Sequence, residues 1–175
     1  GSGVVSQLRW NTVKNFARHL IDFYTVPSGF ARVQSETNVA VIEYASVLTH
    51  LEGAELRLGF NANFTTAGFF DLIDSLSSNL IGPVHPNKAF TLVSQWHFRP
   101  SNMTKRIAVL VTDGNNLANA SSQATSLRLD HAVTLYVVLI HARTTSPSVR
   151  RAYVAVANQL VGEGNQDQVY VFETD

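Results

Sequence analysis

Apolar residues in this chain follow two rhythms, one continuous and one periodic. The continuous rhythm is clearest at Arg106-Ile107-Ala108-Val109-Leu110-Val111-Thr112-Asp113-Gly114, where apolar, mostly branched residues run unbroken and stop at a turn signal. Such a run reads as a strand buried on both faces, the habit of parallel sheets covered by helices. Val133 to Ile140 repeats it. Asn38 to Tyr44 and Gln168 to Phe172 also read as strands, the former by its β-branched content. The alternation of Leu56 to Phe60 predicts a short, half-exposed edge strand.

The periodic rhythm marks helices. Trp10, Val13, Ala17, Leu20, Ile21 and Tyr24 form one stripe at helical spacing, broken by Pro27-Ser28-Gly29. Thr66 to Leu76 carries Phe69, Phe70, Ile73 and Leu76. Pro86 suits a first helical turn and opens a helix with Ala89, Leu92, Val93 and Trp96 on one face. Past Gly114, polar residues lead into a helix with Ala120, Ala124 and Leu127 inward. Ser146-Pro147 starts the last helix, whose stripe is Val149, Ala152, Tyr153, Val156, Ala157 and Leu160, ended by Gly162 and Gly164. Strand and helix alternate. The expected fold is therefore α/β, a three-layer α/β/α sandwich with a mostly parallel central sheet and one antiparallel edge strand.

In open α/β sheets, ligands bind just past the carboxyl ends of the strands. Asp113 stands there. It reads either as a ligand contact or as a turn residue capping the next segment. His85 and His141 follow elements whose ends face the same crevice, so a two-His, one-Asp site for zinc or copper is one reading and two solvated histidines the other. Asp71 and Asp74 read as a solvated helix face, and Arg143, Arg150 and Arg151 as a solvated surface or a basic contact patch. Trp10, Trp96, Phe69 and Phe70 sit in amphipathic stripes and read as core.

Length and composition narrow the classes further. The 175 residues are one domain's worth, and 45% apolar content excludes disorder. Lys+Arg and Asp+Glu balance at 13 each, with no basic stripe, so nucleic acid is not an expected partner. No apolar run approaches the roughly 20 residues a bilayer crossing needs, so membrane insertion is not expected. Cysteine is absent, which removes disulfides, thiolate metal sites and cysteine nucleophiles. No Gly-x-Ser-x-Gly, P-loop or Gly-x-Gly-x-x-Gly follows a strand. A Rossmann-like hydrolase using Asp113 would lack a second catalytic partner. Three sequons, Asn63-Phe64-Thr65, Asn102-Met103-Thr104 and Asn119-Ala120-Ser121, fall in loops or at helix edges and lean toward a secreted glycoprotein.

In its order of elements, and at Val39 to Ser46, Arg106 to Gly114 and Gly1 to Val5, the chain resembles a von Willebrand factor type A domain over residues 1–175, a single domain. The resemblance implies a Rossmann-like sheet whose first, central strand lies upstream of Gly1. An unfilled slot there would leave backbone groups unpaired on both sides; a slot filled by another segment, or direct pairing of 38–44 with 106–112, are the alternatives. It also implies a metal-ion-dependent adhesion site with an Asp and two Ser from a first loop, a Thr from a second and an Asp from a third. Residue by residue, Ser2 fits the first Ser, Val4 stands at the second, Val84 stands at the Thr, and Asp113 fits the last Asp. Two isopropyl groups replace oxygen ligands that Mg²⁺ requires. The expectation is a degenerate site with no resident cofactor and at most weak Mg²⁺ binding at Ser2 and Asp113. The implied function is a non-enzymatic, extracellular adhesion module for a protein partner such as a collagen or other matrix protein, engaged by a rim of Ser2, Val4, Val84, His85, Asp113 and His141. A metal-dependent adhesion domain is the alternative within the same family.

Overall fold

A computed structural model of the chain describes residues 7–25, 40–44, 54–58, 66–76, 85–95 and 106–174. Helix α1 spans Gln7–Thr25, followed by strands β1 (Val41–Tyr44) and β2 (Ala54–Leu58), then helices α2 (Thr66–Ser75) and α3 (Pro86–Gln95). Strand β3 (Ile107–Thr112) leads through a 3₁₀ turn at Leu117–Ala120 into α4 (Ser121–Leu129). Strand β4 (Thr134–Ala142), helix α5 (Pro147–Val161) and strand β5 (Val169–Thr174) complete it. The architecture is the expected α/β sandwich, with β3, β4 and β5 parallel and in that order. β1 and β2 pair antiparallel with a register shift at Val41/Ile42.

Among the described residues β1 and β3 do not pair, so direct pairing of 38–44 with 106–112 is not seen. One side chain spans the interval. Tyr44 Oη donates to the Val111 carbonyl, 3.0 Å away. Burial drives the Tyr44 hydroxyl pKa far upward, so it stays a neutral donor.

The main core lies between the sheet and helices α3, α4 and α5. It holds Phe90, Leu110, Leu117, Ala120, Ala124, Leu127, Leu135, Val137, Leu139, Ala157, Leu160 and Val161. The inner face expected for α4 is seen whole: Ala120, Ala124 and Leu127 are each 0% exposed. The α5 stripe is narrower than its spacing predicts. Ala157 and Leu160 are buried, but Val149 and Ala152 are exposed. Phe90, which was not on the expected α3 face, is buried beside Ala89.

Strand β3 also departs from expectation. Only Leu110 and Thr112 are buried, and Ile107 is 41% exposed. The strand buried on both faces is β4, where every residue from Val137 to Ala142 is buried. β4 has a hydrogen-bonded neighbour on each edge, whereas β3 has one among the described residues. β4 also runs two residues further than its apolar run, through His141 and Ala142.

A second, smaller core joins α1 to α2 around Phe69 and Ile73. Trp10 Nε1 donates to the Leu76 carbonyl at 3.0 Å, and Lys14 Nζ to the Asp74 carbonyl at 2.6 Å. Arg18 forms an ion pair with Asp74, so Asp74 is an inter-helix tie rather than a merely solvated acid.

Candidate functional site

The carboxyl ends of β3, β4 and β5 bring Asp113, Asn115, His141, Tyr153, Arg150 and Glu173 into one neighbourhood. The chain leaves β3 through Thr112, whose Oγ1 accepts the Gly114 N–H at 3.2 Å. Gly114 adopts φ +95°, a left-handed conformation that favours glycine, and a Cβ there would collide with the Tyr153 ring. The glycine is therefore required twice, for the turn and for the approach of α5.

That turn folds Asn115 back onto Asp113. The Asn115 backbone N–H donates to Asp113 Oδ1 at 3.0 Å and its Nδ2 to Oδ2 at 2.7 Å. Tyr153 Oη donates to Asn115 Oδ1 at 2.7 Å. A chain of three side chains, Tyr153 to Asn115 to Asp113, thus fixes the carboxylate, and both of its oxygens already accept a donor. Burial and the Asp113 charge push the Tyr153 pKa up, which keeps its hydroxyl a donor. Sequence reasoning missed Asn115 and Tyr153. A tyrosine on an inner helical stripe, whose hydroxyl needs a partner once buried, was the available signal.

His141 does not sit on the rim. It lies inside the end of β4, 2% exposed, stacked on Tyr153 with ring centroids 5.6 Å apart. Its pKa is lowered, first by burial and then by the Arg150 charge, against smaller opposing effects of Asp113 and Glu173. The neutral ring hydrogen-bonds to the backbone of Asp113, while Nε2 is buried without a partner among the described residues. Arg150 is committed to structure. It ion-pairs with Glu173 and donates to the carbonyls of Thr145, Ala142 and Arg143. A basic patch using Arg150 is therefore not present; the guanidinium locks the turn between β4 and α5.

His85 is half-buried at the start of α3, where its carbonyl accepts the Lys88 N–H. Among the described residues no three His, Asp or Glu side chains gather to hold a metal ion, so the two-His, one-Asp site with His85, His141 and Asp113 does not form. Ser2, Val4 and Val84, and the sequon residues Asn63 and Asn102, lie outside the described residues. Asn119 is described and exposed. The described part of the adhesion-site inventory is Asp113 alone, and its oxygens are engaged by Asn115.

The von Willebrand factor type A domain model matches residues 1–175. No curated protein matches the chain significantly. Among solved structures, proximal thread matrix protein 1 from the mussel byssus superposes with a TM-score of 0.71 at 16% identity, over 95% of this chain and 38% of its own. A second structure of that protein, with zinc occupying its metal-ion-dependent adhesion motif, gives 0.72 at 16% identity over 97% and 40%. BatB from Bacteroides thetaiotaomicron gives 0.62 at 14% identity over 99% and 83%. The chain spans about two fifths of the mussel protein.

Proposed function

Because the chain belongs to the von Willebrand factor type A domain family, whose members generally mediate protein–protein interaction or adhesion without catalysis, we propose that it is an extracellular module binding a matrix protein of collagen type, largely without metal. The observation that carries the metal-independent part is the Asp113 carboxylate, each of whose oxygens already accepts one donor. Its two oxygens are held by Asn115, which Tyr153 holds in turn. A divalent cation would have only the remaining lone pairs of a carboxylate already turned toward Asn115, and Val4 and Val84 offer no side-chain oxygen. The mussel neighbour, a matrix protein by name, supports the extracellular reading. No described helix is long and apolar enough to cross a membrane.

The binding rim consists of Asp113, His85, Ser2, Val4 and Val84; His141 acts from beneath by supporting the Asp113 backbone. Solid-phase binding to immobilised fibrillar collagens tests the reading. Binding should survive EDTA and fall at least tenfold on Asp113→Ala. Binding abolished by EDTA and restored by Mg²⁺ would establish the metal-dependent alternative. Absence of binding across the collagen panel would remove the collagen assignment.

A further inference from the structure

We infer that Asn119 is a glycan-bearing side chain on the outer face of the turn that follows Asp113, an inference that rests on the extracellular reading above. Residues Asn119-Ala120-Ser121 form a sequon. The structure separates the two sides of this turn sharply. Leu117 is 1% exposed and Ala120 0%, both inside the main core, whereas Ala118 and Asn119 are exposed. Asn119's backbone N–H closes the turn on the Asn116 carbonyl at 3.1 Å, and the residue itself stays exposed. A bulky hydrophilic group there displaces no packed atom and solubilises the surface.

Ser121 Oγ donates to the Ala118 carbonyl at 2.9 Å in the folded domain. Transfer acts on the chain as it is translocated, before the turn and α4 close, when that hydroxyl is free. The reaction joins Asn119 Nδ2 to the anomeric carbon of an oligosaccharide carried on a polyisoprenyl pyrophosphate. The carbon–oxygen bond to the pyrophosphate breaks, the lipid pyrophosphate departs with the bonding pair, and the amide gives up one proton to balance it. The finished fold then needs only to leave the product in solvent, which the exposure of Asn119 ensures.

The test places the chain behind a secretion leader in animal-cell culture, as the natural sequence and as N63Q/N102Q, in which Asn119 is the last sequon. Two further variants add N119Q or S121A to that pair, so that a folding defect in one does not decide the outcome. The N63Q/N102Q protein should lose a glycan's mass on peptide-N-glycosidase treatment, with Asn119 converted to Asp, and both triple variants should be unchanged. Secreted N63Q/N102Q protein with an unmodified Asn119 overturns the inference and leaves the extracellular reading standing. Retention inside the cell with an endoglycosidase-sensitive glycan on Asn119 supports the inference and counts against the extracellular reading.

Discussion

Strand β4 and strand β1 are both apolar and both carry helices nearby, yet their surroundings differ. β4 is hydrogen-bonded to a parallel strand on each edge, and Leu135, Val137 and Leu139 are 0% exposed. Among the described residues β1 pairs with its sequence neighbour β2 alone, and its described side chains Val41, Ile42 and Tyr44 are half-buried. The core on the β1 side closes around two buried residues, Phe69 and Ile73. The difference shows that burial in this fold comes from long-range parallel pairing more than from local hydrophobicity. Tyr44 links the two halves: it sits on β1, packs against the main core and bonds to β3.

The sharpest way to break this comparison is truncation on each side. Leu139→Ala should destabilise by about 4 kcal/mol and Ile73→Ala by about 2 kcal/mol, since the cost rises with how little the surroundings can relax. Urea denaturation measures both, and equal losses would mean the two cores are equally rigid. Next in size, Gly114→Ala should cost about 2–3 kcal/mol, combining a left-handed backbone with a clash against Tyr153. A thermal shift no larger than that of a surface substitution would show that α5 moves freely over the turn.

A smaller effect probes the bridge itself. Tyr44→Phe should cost about 1 kcal/mol, the value of one hydrogen bond. An unchanged urea midpoint would show that the bond to Val111 adds nothing to stability. On the β4 side, His141 has a folded pKa below its ordinary value of 6.5. The unfolded chain therefore binds the extra proton more readily. The contribution is fully present above that value and is lost as pH falls below it toward the lowered folded pKa. His141→Gln should flatten stability between pH 7 and 5; an unchanged slope would place the acid sensitivity elsewhere. Last, Ser146→Ala should cost about 1 kcal/mol, because Ser146 Oγ caps α5 by accepting the Val149 N–H.

Much of the fold was legible from the chain alone. The apolar runs at 107–111 and 133–140, the α4 inner face, the Ser146-Pro147 helix start and the placement of Asp113 past a strand all follow from local chemistry. These signals are local because one residue's neighbours along the chain suffice to define a strand, a helix face or a cap. Other features were not legible. The rank of β3 and β4 in burial depended on which strand has neighbours on both edges. The burial of His141 depended on Tyr153 covering it, and the fixing of Asp113 on an Asn115–Tyr153 bond that spans 38 residues. Arg150 looked like surface charge until the fold set it beside Glu173 and the turn carbonyls.

The sequence by itself determined which stretches form strands and which form helices, and which family pattern they follow. The tertiary structure decided which of those strands is the buried one, and that the carboxylate past β3 accepts from Asn115, which a phenol holds in turn. The physical reason is that periodicity and capping act over a few residues, whereas desolvation and hydrogen-bond partnership at the sheet's carboxyl edge depend on side chains brought together from three separate strands and a helix.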